Sequence, residues 1–291
     1  MGARWLVTMG AALVVATAAR EAQAFCRTTT CNPKKDGCRI VGACARTGAP
    51  LSWNVMPIPY RFHGHAPERL DRDEARGAIR LAFARWTEVV CSGGRRTSLR
   101  FQELSEIPAA TPRGKQPFGI YFRDDGWPHA AADETLALTT HYFGQSNGEI
   151  QYSDIEINSG EKPFTVRDAE KGTDLEAVIT HEVGHYIGLA HSPAPESIMA
   201  PSYCQSDARC SETREIARDL GADDVAAVCA LYPPGGLANE DGAAPGACGL
   251  ARGPVSPPEG EPLPVAAVAV AFCSLACLRR LTASTLGALR S

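Results

Sequence analysis

The most informative stretch of the sequence is HEVGHYIGLAH, residues 181–191. On an α-helix, His181 and His185 are four residues apart and face the same way, so both imidazoles can reach one metal ion. Gly188 allows the sharp turn that ends such a helix, and His191 can then supply a third nitrogen. Three histidines leave the fourth position of a tetrahedral zinc ion open, which is the arrangement of a catalytic site.

The same helix places a carboxylate beside the open position. Glu182 is one residue from His181, close enough to contact a water there without binding the ion itself. A carboxylate in that place can accept the proton of the water as a general base. At about 5% usage per residue type, the pattern arises by chance roughly once in 10,000 chains of this length, so coincidence is remote.

Charge and composition exclude several classes of protein. The 291 residues carry 29 Lys and Arg against 33 Asp and Glu, a formal net charge of −4. Nucleic-acid binding proteins usually show a basic patch or stripe, so we expect no nucleic-acid partner. The chain is 44% apolar, which favours a globular core over disorder.

The N-terminal end has the composition of a targeting segment. Residues 1–24 combine an early arginine, an apolar stretch and the close Ala22-Gln23-Ala24, which is typical of a cleaved secretory signal peptide. A membrane anchor is the alternative, but the apolar run is shorter than the roughly 20 residues that span a bilayer. We therefore expect a protein that is secreted or displayed at the cell surface.

The C-terminal end is also unusual. Residues 235–264 are rich in Pro, Gly and Ala and are predicted to be a linker. Residues 265–291 begin with an apolar run that stops at Arg279-Arg280, a layout that resembles bacterial C-terminal sorting tails. A core helix of the domain is the alternative. We expect a hydrophobic sorting or anchor tail that attaches the protein to a membrane or cell surface.

Export also accounts for the cysteines, because an oxidising compartment allows eight of the 11 in the chain to pair once Cys248, Cys273 and Cys277 are set aside. Residues 25–51 form a cysteine-rich leader. The cysteine spacing does not match a zinc ribbon, so disulfides are favoured over a thiolate metal site, and the sequence leaves their pairing open. The cysteines expected to pair are Cys26, Cys31, Cys38, Cys44, Cys91, Cys204, Cys210 and Cys229.

Residues 52–234 have the pattern of one α+β domain. Apolar residues at helical spacing predict a long helix over 71–90. Thr173-x-x-Glu176 is a capping-box pattern that predicts the start of a second helix, which runs to about residue 188. A third helix is predicted over 223–232, with two carboxylates in its first turn and two prolines after its end. Strand-like runs lie between the first two helices, at 99–101, 119–122, 136–140 and 150–157.

The histidine stretch resembles the metzincin metalloproteases, whose motif H-E-x-x-H-x-x-G-x-x-H is followed by a methionine turn. The sequence SIMAP, residues 197–201, matches that turn. Ser192 after the third histidine and Pro201 after the methionine resemble the matrixin branch. Weaker matches extend to the first and last helices, so that the resemblance covers about residues 52–233.

The resemblance implies a metzincin or zincin-like two-lobed domain with a twisted, mostly parallel sheet and three main helices. It implies a secreted zinc metalloendopeptidase that acts on protein or peptide substrates, and we expect a monomer. In such an enzyme one zinc ion is held by His181, His185 and His191, and Glu182 is the general base for a zinc-activated water.

The resemblance also implies how a substrate binds. The run at 136–140 would be the edge strand along which an extended substrate pairs by β-augmentation. Met199 would form an apolar floor under the histidines. The segment from Pro201 to Tyr203 would border the pocket for the side chain that follows the cleaved bond.

The sequence departs from the family in two respects. Residues 1–51 contain no P-R-C-G segment, whose cysteine commonly holds matrixins latent, although a leader cysteine could still serve. Leu138 and Gln151 occupy the positions of two histidines that bind a second, structural zinc in vertebrate matrixins, while His129 and His141 are out of register. We therefore predict one zinc ion per chain. Calcium held by backbone and carboxylate oxygens is left open.

The alternative function is a catalytically weak or inactive metzincin-fold protein that binds peptides or a surface partner. Glu182 distinguishes the two hypotheses, because a homologue that has lost catalysis usually loses the base first. Its presence here favours the enzyme.

Overall fold

A computed structural model describes most of the chain between the predicted signal peptide and the linker. The predicted signal peptide, nearly all of the linker, and the residues after 274 lie outside the described residues. The described ranges are residues 25–33, 35–65, 67–166, 172–203, 218–236 and 265–274.

The described part contains three helices, as the sequence predicted. Helix α1 begins after Asp71, whose carboxylate accepts hydrogen bonds from the backbone N–H groups of Asp73 and Glu74. In the order of the chain, the helices are α1 (Arg72–Thr87), α2 (Leu175–Tyr186) and α3 (Ala222–Leu231).

The predicted capping box of α2 is wrong by one residue. Asp174 is the N-cap, and its carboxylate accepts a hydrogen bond from the backbone N–H of Ala177 at 3.0 Å. Thr173 is held in an extended strand, where its N–H donates to the carbonyl of Pro163 at 2.7 Å. Glu176 does not reach back to it, because its carboxylate forms ion pairs with arginines at 85 and 218.

Within the described ranges, the strands form one large mixed sheet and two small two-stranded ones. The large sheet has the order β10-β11-β6-β7-β5-β3-β4, and within β6-β7-β5-β3-β4 only the β6–β7 pair is antiparallel. This confirms the predicted α+β fold with a mostly parallel sheet. The strands are β1 (Ile40–Val41), β2 (Cys44–Ala45), β3 (Ile58–Phe62), β4 (Phe101–Glu103), β5 (Gly119–Phe122), β6 (Thr135–Gly144), β7 (Ile150–Ile157), β8 (Phe164–Thr165), β9 (Thr173–Asp174), β10 (Ser202–Tyr203) and β11 (Val265–Ser274).

Two buried tryptophans hold α2 in place. The indole N–H of Trp86 in α1 donates to the carbonyl of Thr180 in α2 at 2.9 Å. The indole N–H of Trp53 donates to the carbonyl of Tyr186 at 2.7 Å, and the two rings stack with centroids 5.6 Å apart. Because both indoles bury a large apolar surface and satisfy their polar atom, α2 is fixed along most of its length.

The described disulfides lie within the leader and between the first and third helices. Cys26 pairs with Cys44 and Cys31 with Cys38 inside the leader, while the third bridge connects the residues after α1 to α3 through Cys91. These bridges confirm the predicted disulfides for six of the cysteines, the last being Cys229. Cys204 and Cys210 lie outside the described residues.

The apolar run after the linker is a strand of the large sheet. Strand β11 pairs antiparallel with β6 and parallel with β10. The run at 136–140 was expected to be an edge strand; here β11 covers the edge that β7 leaves open, so the run is paired on both sides. The physical reason is that residues 265–274 contain neither proline nor charge, so they can satisfy the open backbone groups on that side of β6.

The described residues include no helix that is both long enough and apolar enough to cross a membrane.

Candidate active site

His181 and His185 are fully buried on one face of α2. Nδ1 of His181 lies 2.6 Å from the carbonyl oxygen of Ile198, and Nδ1 of His185 lies 2.9 Å from that of Leu189. A carbonyl only accepts hydrogen bonds, so both Nδ1 atoms donate and both Nε2 atoms keep their lone pairs. The two Nε2 atoms face each other at 2.9 Å, an arrangement of two acceptors that a cation would stabilise.

His191 reaches the same place after a sharp turn. Gly188 has a φ of +101°, and a Cβ atom there would lie 2.6 Å from the carbonyl oxygen of Leu51, so only glycine fits. Nε2 of His191 is buried and has no hydrogen-bond partner. One ring nitrogen from each of the three histidines lies within 4.8 Å of the others. This donor set fits a zinc ion.

The protonation states of the histidines also suit metal binding. Burial lowers the pKa of His191 to about 4. Burial and the neighbouring histidines hold the pKa of His181 and that of His185 well below the ordinary value. All three rings are therefore neutral at pH 7, which is the form that coordinates a metal.

Glu182 points from α2 toward β6. Its Oε2 accepts a hydrogen bond from the hydroxyl of Thr139 at 2.5 Å, while its buried Oε1 has no hydrogen-bond partner. Burial raises the pKa of Glu182 to about 8, and the hydrogen bonds from Thr139 oppose this shift. A divalent cation nearby would favour the ionised carboxylate.

Met199 packs against α2 at Gly184, the residue between His181 and His185. It is buried, and a Cβ atom added to Gly184 would lie 2.2 Å from the methionine sulfur. The glycine between the two helical histidines therefore allows this close contact, and a side chain there would displace the side chain of Met199.

Asp224 in α3 fixes the methionine turn. Its carboxylate accepts hydrogen bonds from the hydroxyl of Ser197 at 2.5 Å and from the backbone N–H of Ile198 at 2.8 Å. The carbonyl of Ile198 is the acceptor for His181, so Asp224 acts on a candidate ligand through the turn. From the sequence, Asp224 was placed in the first turn of the third helix and in a weak family match, without a role in the site. The signal available was the pair of acids, Asp223 and Asp224, at the start of that helix.

The comparisons with known proteins agree with this geometry. The family model described as Matrixin matches residues 52–233. The chain belongs to the matrixin family. Members of this family are zinc-dependent metalloendopeptidases, so the recognition made from the histidine motif and the methionine turn is confirmed.

This matrixin is similar to proteins from animals and plants. Matrix metalloproteinase-C of Caenorhabditis elegans is 31% identical over 207 residues, which cover 66% of this chain and 32% of that protein. Metalloendoproteinase 1-MMP of Arabidopsis thaliana is 30% identical over 190 residues, 62% of this chain and 44% of that protein. Macrophage metalloelastase of Oryctolagus cuniculus is 30% identical over 189 residues, 64% of this chain and 34% of that protein. The matched region spans less than half of each relative.

The leader of this matrixin contacts the loop that carries the third histidine. The hydroxyl of Thr28 donates to the carbonyl of Leu189 at 3.0 Å, the same oxygen that accepts from His185. The backbone N–H of Ala190 donates to the carbonyl of Cys26 at 2.9 Å. All four leader cysteines are in disulfides, so none offers a free thiol to a metal.

The histidines that were out of register for a second zinc have other partners. His129 Nε2 lies 2.6 Å from a carboxylate oxygen of Glu156, and His141 Nδ1 lies 2.6 Å from the hydroxyl of Ser153. Burial lowers the pKa of His141 to about 4. Within the described ranges, the one other cluster of metal-binding side chains is Cys31, Asp36 and Cys38, whose cysteines are bonded to each other. One zinc per chain stays a prediction.

Proposed function

We propose that this matrixin is a secreted endopeptidase that uses one zinc ion, held by His181, His185 and His191, with Glu182 as general base. The observation that carries the proposal is the convergence of three neutral histidine nitrogens within 4.8 Å, beside a buried glutamate. Zinc bound there would lower the pKa of water towards about 7 and polarise the carbonyl of the bond to be cleaved.

The residues of the chain account for the movement of the proton. Thr139 holds Oε2 of Glu182, which leaves the unpartnered Oε1 to accept a proton from the attacking water. The same carboxyl then donates that proton to the leaving amine as the carbon–nitrogen bond breaks. Ile198 and Leu189 keep His181 and His185 in the tautomer that leaves Nε2 available.

The rest of the chain supports an exported enzyme. We propose residues 1–24 as signal peptide, 25–51 as leader, 52–234 as catalytic domain, 235–264 as linker and 265–291 as tail. Disulfides at the leader and between α1 and α3 fit an oxidising compartment. Substrates would be proteins or peptides outside the cell, and tail attachment to the surface belongs to the same proposal.

A peptide-library digest followed by mass spectrometry tests the proposal. We expect the purified chain to cleave peptides, a chelator to abolish cleavage, and added zinc to restore it. Glu182→Ala should retain zinc but lose at least 100-fold in kcat, since general-base catalysis contributes about 10²–10⁴-fold. Glu88→Gln, which changes an exposed glutamate at the end of α1, is the matched control. Residual activity of Glu182→Ala above one hundredth would overturn the general-base role.

A further inference from the structure

Strand β11 lies beside the candidate active site. On one side it pairs with β6, which carries Thr139, the hydrogen-bond partner of Glu182. On the other side it pairs with β10, which begins three residues after Met199. It also contacts α2, the helix of the histidine pair. The C-terminal segment therefore lies between β6 and β10, the two strands that flank the site. We call the space between these two strands the active-site groove.

The register shows which part of β11 faces the site. Val270 is opposite Thr139 and Phe272 is opposite Ala137 on β6. Cys273 is opposite Ser202 on β10. Residues 270–273 therefore cross the groove at the level of Glu182 and the methionine turn, with one end of β11 paired on both sides.

An extended peptide bound by β-augmentation uses the backbone groups of an exposed strand edge for affinity. β11 pairs in that way, antiparallel to β6 from Val265 opposite Gly144 to Phe272 opposite Ala137. The sequence VAAVAVAFCS has no proline, so every residue retains the N–H that such a ladder needs. The same sequence contains no charged residue.

We infer that the C-terminal segment 265–274 is a ligand of the protein's own active-site groove and occupies the place of a peptide substrate. The inference rests on the proposed function in one respect, namely that this groove is where substrates bind. It names the ligand class as extended, uncharged peptides rich in small apolar residues. It also means that β11 must leave the groove before another peptide is cleaved.

Because β11 is part of the same chain, it competes strongly with added peptides for the groove. A tethered segment acts at an effective concentration on the order of mM, which a dilute free peptide does not match. Displacing β11 should therefore raise the rate of cleavage of added peptides by at least tenfold.

A double proline variant of the full chain, Ala269→Pro with Val270→Pro, tests the inference. Successive N–H groups of a strand point to opposite sides, so one of these two faces β6 and is removed whichever it is. We expect kcat/KM for an apolar peptide to rise at least tenfold and the amides of β6 to exchange with deuterium faster. Ala243→Pro with Ala244→Pro makes the same change in the predicted linker and should behave as the unmodified chain.

A second experiment does not depend on the folding of the proline variant. A site-specific protease sequence inserted after Gly242 allows the tail to be released from the folded, full-length protein. Release at micromolar concentration should raise activity at least tenfold, and a synthetic peptide of residues 265–274 should then inhibit competitively. Unchanged activity and unchanged deuterium exchange of β6 after both treatments would overturn the inference.

The two proposals fail in different ways. If no form of the protein cleaves any peptide, the proposed function is wrong. Deuterium exchange of β6 and binding of the labelled 265–274 peptide to the Glu182→Ala protein after tail release still test the inference, because neither measurement requires catalysis.

Discussion

The hydroxyl of Thr139, at the centre of β6, lies 2.5 Å from Oε2 of Glu182 on α2. Both side chains are fully buried, and the same hydroxyl lies 3.2 Å from the carbonyl oxygen of Glu182. A sheet residue thereby sets the orientation of the proposed general base. This relationship gives the site a contributor that lies outside the histidine motif.

Replacing Thr139 with valine keeps the shape of the side chain but removes the donor to Glu182. We expect kcat to fall about ten- to 150-fold with zinc content unchanged, since a hydrogen bond to a charged group contributes about 1.5–3 kcal/mol. Thr139→Ser retains the hydroxyl and should keep most of the activity. Equal kcat values for the valine and serine variants would contradict the positioning role.

Replacing Thr28 tests the contact between the leader and the loop that carries His191. Thr28→Val removes the donor to the carbonyl of Leu189, which also orients His185. We expect zinc affinity to fall about tenfold, the lower end of the effects of outer hydrogen bonds on metal sites. Competition with a chromogenic chelator measures the affinity, with Thr28→Ser as control. A valine variant that binds zinc as tightly as the serine variant would show that the contact does not support the site.

Metal analysis of dialysed protein tests the number of zinc ions. We expect one zinc per chain, and its loss in His185→Ala, because two remaining ligands hold zinc weakly. His129→Ala should retain the zinc, since His129 is paired with Glu156 in the structure. Two zincs per chain, with one left in His185→Ala, would show that the single-site prediction is wrong.

Asp154 should make stability depend on pH. Burial raises the pKa of Asp154 to about 7 even though its Oδ1 accepts from the N–H of Gly119 at 2.7 Å. The folded state then binds a proton that the unfolded state has released between about pH 4 and pH 7, so stability falls as the pH rises through that range. The loss is up to about 4 kcal/mol, at 1.36 kcal/mol per pKa unit.

Asp154→Asn keeps an acceptor oxygen for Gly119 and removes the titration. Urea denaturation at pH 5 and pH 8 should show that this variant is stabilised relative to the unmodified protein mainly at pH 8. Asp133→Asn changes an exposed acid and should leave the pH profile alone. A profile of Asp154→Asn that runs parallel to that of the unmodified protein would refute the assignment.

The candidate ligands and the α2 helix follow from local spacing, which is why the sequence predicts them. Strand β3 is missed, because Pro59 in its middle argues against a strand. The sheet accommodates this proline because neighbouring residues donate the backbone hydrogen bonds to the adjacent strands. The N–H of Ile58 donates to the carbonyl of Arg100, and that of Arg61 to the carbonyl of Phe118, each at 2.8 Å.

The other features that the sequence does not predict depend on contacts between distant parts of the chain. Thr28 and Leu189 are 161 residues apart, and no local pattern marks either as a partner of the other. The sequence of the apolar run at 265–274 is compatible with a tail or a strand. What favours the strand is the side of β6 that β7 leaves open, with which the run pairs. Such pairings arise from tertiary structure and leave no periodic signal.

The Cys26–Cys44 bridge closes a loop with a sequence separation of 18, and this closure contributes about 3 kcal/mol. The leader that it closes is hydrogen-bonded to the loop between His185 and His191. In a reducing compartment these two thiols stay reduced, and the loop lacks its covalent support. The support that the leader gives to the loop between His185 and His191 is therefore complete only where this disulfide can form, which under the proposed export is outside the reducing cytosol.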